Sequence, residues 1–242
     1  MYRWRLIEQT WCCWPAKPIG LIEMIGGSYL ATTPQVAYKR LLESLTRRNI
    51  AIHTWMYIPS LDHQSQAIQA WKNFRKCKER LEARVGTMPF PIRMGHSLGC
   101  KLHLLAPDSG RNSQAFIGLC FNNFNAGKSI PMLGKVTKKF NIRTEFSPSP
   151  KQTIELIKSK YVQPDNLLIK FNRDKLDQTY LLFNSLKARS NDQSRVLELE
   201  GDHLTPTSTG IKKNILGDWL EDNNRIDNLD TLINTIAKFF PG

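Results

Sequence analysis

The sequence predicts an α/β fold, a mostly parallel twisted sheet with helices on both faces. Two observations carry this. Short continuous apolar runs, the mark of strands buried on both sides, alternate with stretches whose apolar residues recur at helical spacing. A length of 242 residues with 41% hydrophobic content suits one large domain of this kind. A single domain over 1–242 is therefore expected.

The elements follow in order. Residues 3–7 and 11–14 are short enough to form an antiparallel edge. The apolar run 21–25 ends in Gly26-Gly27, and Thr33-Pro34 then opens a helix through Val36, Tyr38, Leu41, Leu42 and Leu45. Residues 51–57 are the next strand, closed by Pro59. Ile68, Trp71, Phe74, Leu81 and Val85 form one helical stripe, with Lys72, Arg75, Lys76, Arg80 and Arg84 along another face. Strand 90–94 precedes helix 98–106, which Pro107 stops. Runs 115–121 and 166–171 read as buried strands, 196–200 alternates with period two, and 226–240 is a closing amphipathic helix. Between two core strands lies a long interruption, 122–164, with four prolines and basic stretches, expected to be a lid-like insert.

Composition removes several classes. Repeated apolar runs and 10% aromatics exclude global disorder. The five cysteines are odd in number and lack framework spacing, so they read as reduced thiols. The charged N-terminus lacks the apolar core of a signal peptide, and no window reaches a membrane span, so a soluble cytoplasmic protein is expected. A net charge of +13 favours polyanionic neighbours, yet no nucleic-acid-binding motif accompanies it. Peripheral contact with an anionic membrane is the expectation it leaves, thylakoid-peripheral in a phototroph.

Gly95-His96-Ser97-Leu98-Gly99 matches G-x-S-x-G in the strand-to-helix context that its chemistry requires. A sharp turn there exposes the serine, and the helix N-terminus aims N–H groups at developing negative charge. The base and acid should follow in the order Ser, Asp, His. His203 lies on the loop after strand 196–200, and Asp174 lies three residues past strand 166–171, with Asp177 as runner-up. Leu98 N–H and that of Gly27 or Ser28 are the expected oxyanion donors. Asn122, Asn123 and His63, at strand ends on the same edge, and His96 within the motif are substrate-pocket candidates. Ala126-Gly-Lys-Ser129 mimics the tail of a phosphate-binding loop, but the first glycine of that pattern is replaced by Asn122. No cluster suggests a metal, and no cofactor is expected.

Together the elbow, acid loop and base loop resemble the α/β-hydrolase superfamily. More narrowly, 95–105, Phe121-Asn-Asn-Phe124, 167–171 with Asp177-Gln-Thr179, and 201–206 resemble an uncharacterised branch, a domain of unknown function of cyanobacteria and plant plastids. The chain departs from the wider superfamily at Phe171, usually glycine, and at Ile25-Gly26, usually His-Gly. The resemblance implies the hydrolase fold and a serine nucleophile at Ser97. The expected function is a serine esterase, lipase or acyl hydrolase, an acyl transferase sharing its chemistry, acting on a small-molecule or lipid acyl ester. The alternative is a non-catalytic protein of the same fold that binds a lipid, pigment or protein partner at a membrane surface.

Overall fold

The computed structural model describes residues 3–129, 145–208 and 223–240. Their strands are β1 (Arg5–Ile7), β2 (Thr10–Cys13), β3 (Gly20–Ile25), β4 (Ile50–Trp55), β5 (Ile92–His96), β6 (Ala115–Leu119), β7 (Asn166–Phe171) and β8 (Arg195–Leu199). They form one eight-stranded sheet in the order β1-β2-β4-β3-β5-β6-β7-β8. β2 pairs antiparallel with β1 and β4, and all later pairings are parallel. The antiparallel edge expected at the N-terminus is present.

Helices cover both faces. They are α1 (Pro34–Ala37), α2 (Lys39–Thr46), α3 (His63–Val85), α4 (Leu98–Leu104), α5 (Ala126–Ser129), α6 (Pro150–Lys160), α7 (Thr179–Lys187) and α8 (Asn223–Ala237). Strand alternation sorts the core. Ile22, Met24, Ile52, Met94, Ile117 and Ile169 pack with Leu41 and Leu45 of α2 and Leu232 and Ile236 of α8. On the other face, Ile25 and Trp55 meet α3 and α4 through Ala67, Phe74 and Leu102. Phe116 and Leu168 meet Leu104, Ile157 and Leu182 there.

The helix starts are chemically marked. Asp62 accepts from Ser65 N–H at the head of α3, and Ser149 and Gln152 form a reciprocal capping box around Pro150 at the head of α6. The expected basic face of α3 is exposed, with Arg75 over the Trp71 ring, while Phe74, Cys77 and Leu81 are buried. One polar group crosses the core: Arg93 pairs in a fork with Asp108 at 2.7 and 2.8 Å and approaches Glu23 at 3.7 Å.

Several expected element bounds shift, two of them at the site. The helix expected to open at Thr33-Pro34 and run through Leu45 is broken at Tyr38 into α1 and α2. The strand expected at 90–94 starts after Pro91 and runs on through Gly95 and His96. Of the expected insert, 130–144 lies outside the described residues. Its two ends are tied together where Glu145 accepts from Ala126 N–H at 2.9 Å.

Candidate active site

The parallel strands deliver their loops to one edge, and Ser97 stands at its centre. It joins β5 to α4 with φ 55° and ψ −119°, a left-handed conformation that costs about 1–3 kcal/mol and persists only where the surroundings enforce it. They do so here through space. A Cβ on Gly99 would overlap the carbonyl of Ile25, and one on Gly95 would reach within 2.5 Å of the Cys100 backbone. Neither glycine has positive φ, so what the motif demands at these two positions is close approach.

Two further loops meet beside it. Nδ1 of His203, on the loop after β8, lies 2.7 Å from Asp174 Oδ2, on the loop after β7. The Asp174 carboxylate is wholly buried, and its other oxygen accepts from Leu176 N–H at 2.8 Å. Burial pushes its pKa up, but the hydrogen bond and charge of His203, with the Leu176 N–H and the Cys120 thiol, outweigh that and hold it below the ordinary value. Asp177 is engaged elsewhere: its carboxylate accepts from the N–H and hydroxyl of Thr179, and burial raises its pKa. Among the described residues no hydrogen bond joins Ser97 to His203. Ser97 Oγ instead accepts from Asn122 Nδ2 at 2.8 Å.

His96 does not line a pocket, contrary to expectation. It is 1% exposed, with one ring nitrogen 2.7 Å from the Tyr38 hydroxyl and the other 2.8 Å from the His203 carbonyl. Its polar groups are satisfied internally because β5 extends beneath the elbow. Burial, with the neighbouring His203, lowers its pKa to about 3, so the ring is neutral. His63 is likewise no pocket residue. It is buried at the start of α3, stacked on Phe146 at 4.2 Å, and desolvated to a pKa of about 3. Asn123 is buried and braces the insert, its backbone N–H on Gln178 and its amide on the Pro150 carbonyl. Of the pocket candidates, Asn122 alone touches the serine.

Gly27 lies against the elbow, where a Cβ would meet His96 and Ser97 at 3.2 Å. Its N–H, one of two expected alternatives for the hole, already donates to the Tyr38 hydroxyl at 2.9 Å. The N–H groups of Ser28 and Leu98 have no acceptor among the described residues. Tyr38, which nothing in the local sequence marks beyond its place in an apolar helical stripe, is the residue the sequence reading missed.

His96, Cys120 and His203 place potential ligand atoms within 4.8 Å of one another. Two of the three groups are engaged elsewhere. His96 binds the His203 carbonyl and Tyr38, and the Cys120 thiol is held protonated by burial and by the Asp174 charge.

None of the curated proteins matches the chain in sequence. Among solved structures it is similar to a monoacylglycerol lipase of Paleococcus ferrophilus, with a TM-score of 0.61 and 12% identity over 95% of this chain and 96% of that one. It is also similar to the thermophilic esterase Est2 of the Planctomycetes species Thermogutta terrifontis, with a TM-score of 0.65 and 11% identity over 98% and 94%. A thioesterase domain from the curacin biosynthetic pathway matches at 0.56 and 9% over 98% of each chain. At such identities the likeness establishes the fold, and that fold is the α/β-hydrolase fold. The signature of one family, "Protein of unknown function (DUF1350)", runs over residues 3–233, and the chain belongs to that family.

Proposed function

We propose that this protein is a serine hydrolase that cleaves an acyl ester. The observation that carries the reading is the Asp174–His203 hydrogen bond, made between two loops 29 residues apart on the edge that bears the strained Ser97. In this reading the Ser97 hydroxyl proton passes to His203 Nε2 as Oγ bonds to the acyl carbon, and the carbonyl electron pair moves to oxygen. Leu98 N–H, and Ser28 N–H in place of the occupied Gly27, face the charge. The intermediate collapses to an acyl-serine as His203 returns the proton to the leaving alkoxide. Water then repeats the sequence and frees the acid. An alcohol in place of water would give acyl transfer through the same intermediate. Asp174, buried and ionised, holds the imidazole with its proton on Nδ1 and stabilises the cation that forms.

A lipid acyl chain suits the rim of this edge. Tyr29, Ile58, Leu61 and Leu176 are exposed on the loops that follow β3, β4 and β7. The exposed cations of α3 would bring the protein to an anionic surface, and no described helix is long and apolar enough to cross one. One observation favours the non-catalytic alternative: the resting Ser97 is bound to Asn122 and not to His203.

Covalent labelling with a fluorophosphonate probe decides between them. The wild type should label, and Ser97→Ala and His203→Ala should not. A folded wild type that stays unlabelled, with or without detergent, would establish the binding reading instead.

A further inference from the structure

We infer that the side-chain amide of Asn122 is an oxyanion donor and hence a catalytic residue. The inference rests on the serine-hydrolase reading above and adds a group to it. An acyl-transfer site needs N–H groups fixed around the spot where charge develops, and in the reading above two backbone groups, Leu98 N–H and Ser28 N–H, serve it. Gly27 N–H is not free to join them. It is held by the buried Tyr38 hydroxyl, which is in turn committed to His96 Nδ1, so withdrawing it would strand a phenol oxygen in the core.

Asn122 offers a third donor, from a side chain. Its Nδ2 is 2.8 Å from Ser97 Oγ, and an amide nitrogen carries two hydrogens, of which this contact uses one. The second has no acceptor among the described residues. The backbone on either side is clamped by one residue: Gln178 N–H donates to the Phe121 carbonyl at 2.7 Å, and Gln178 Oε1 accepts from Asn123 N–H at 2.6 Å. Asn123 is further tied to the Pro150 carbonyl. The amide is therefore presented from a braced turn, and preorganised donors of this kind lose little on reorganisation.

The chemistry gives the contact a direction. In the resting state the hydroxyl oxygen accepts from Nδ2 and keeps its own proton for His203. When Oγ bonds to carbon it becomes an ester oxygen and a poor acceptor. The negative charge appears on the oxygen attached to that same carbon, one atom away from Oγ. The Asn122 amide then gains a stronger partner than the one it loses, and only in the transition state. An interaction of that kind raises the rate of the chemical step and leaves substrate affinity alone.

The test is the kinetics of fluorophosphonate labelling, because the phosphonyl oxygen occupies the hole as the oxyanion does. Wild type, Ser97→Ala, Asn122→Ala and the nearly isosteric Asn122→Leu would be compared, the two Asn122 variants guarding against misfolding of either, with thermal melts confirming the fold. The expected result is a labelled wild type, a silent Ser97→Ala, and a fall of about 100-fold in the maximal labelling rate of a folded Asn122 variant, with the half-saturating probe concentration within about threefold. A folded Asn122 variant that labels as fast as the wild type, or faster, would mean that the amide only ties up the resting serine. That would overturn the inference and leave the hydrolase reading standing. A wild type that does not label overturns both.

Discussion

The Tyr38 hydroxyl lies 2.7 Å from His96 Nδ1, and this contact links the loop after β3 to the loop that bears His203. The direction of each bond is fixed by its neighbours. Gly27 N–H donates to the phenol oxygen, so the phenol proton goes to Nδ1, and the imidazole carries its hydrogen on Nε2, where it meets the His203 carbonyl. Tyr38→Phe would leave Gly27 N–H and His96 Nδ1 both buried without partners. At about 1–3 kcal/mol for each such group, a loss of at least about 2 kcal/mol in unfolding free energy is expected. Urea denaturation measures it, and a change under about 0.5 kcal/mol would show that the chain of bonds holds nothing together.

The two candidate acids are separable by function. Asp174→Asn should slow fluorophosphonate labelling by about 10³–10⁴-fold, because an amide facing Nδ1 favours the wrong tautomer of His203. Asp177→Ala should leave the labelling rate within a fewfold and cost about 1 kcal/mol, since its carboxylate serves the head of α7 through Thr179. The reverse ranking of the two labelling rates would reassign the acid.

What the sequence could show about this site follows the range of the contacts. β7 is legible residue for residue, because the apolar Leu167, Leu168, Ile169 and Phe171 stand together between polar loops. The elbow is legible because its glycines and serine fall at fixed spacing within five consecutive residues. Asp174 and His203 are legible as loop residues because each follows a strand the pattern marks. Asn122 could be placed at a strand end, but its contact with Ser97 spans 25 residues and no local pattern encodes it. His96 looks like an exposed polar residue until partners 58 and 107 residues away satisfy it. The break between α1 and α2 falls at Tyr38, whose place in the apolar stripe is legible but whose hydroxyl contacts with Gly27 and His96 are not.

Acid should unfold the protein early. Four of the five histidines, His53, His63, His96 and His103, are buried, and desolvation lowers each to a pKa of about 3. Their folded pKa lies below the unfolded value of about 6.5, so as pH falls through 6.5 the unfolded chain takes up protons that the folded one refuses. Stability is full above that pH and declines by about 1.4 kcal/mol per unit per histidine below it. Glu23 acts in the opposite sense. Burial raises it to about 7, so the folded protein holds a proton that the unfolded chain releases, and between about 7 and 4.5 it offsets one histidine. The net slope is about 4 kcal/mol per pH unit between 6.5 and 4.5, enough to exhaust an ordinary stability within a few units. Denaturant midpoints measured from pH 7.5 to 5 should fall steeply. A flat series would show that these histidines take up protons without unfolding the chain.

Gly99 should tolerate no side chain, for a reason different from the one usually given for glycine in a turn. Its φ is not positive, so alanine could adopt its conformation. The obstacle is the Ile25 carbonyl, which a Cβ would overlap, with the Gly26 oxygen 3.0 Å away. These are backbone atoms at the end of β3, and β3 is paired on both sides, to β4 and β5, so the carbonyl cannot withdraw without opening the sheet. Gly99→Ala should therefore destabilise by more than about 3 kcal/mol and should also move α4, whose N-terminus carries Leu98 N–H. Gly127 supplies the control. It is exposed, its nearest neighbour for a Cβ is the tip of Asn125 at 3.9 Å, and Gly127→Ala should change stability by no more than about 1 kcal/mol, in the stabilising direction. Thermal melts of the two variants side by side test the contrast, and equal melting temperatures would refute the account of close packing beneath the elbow.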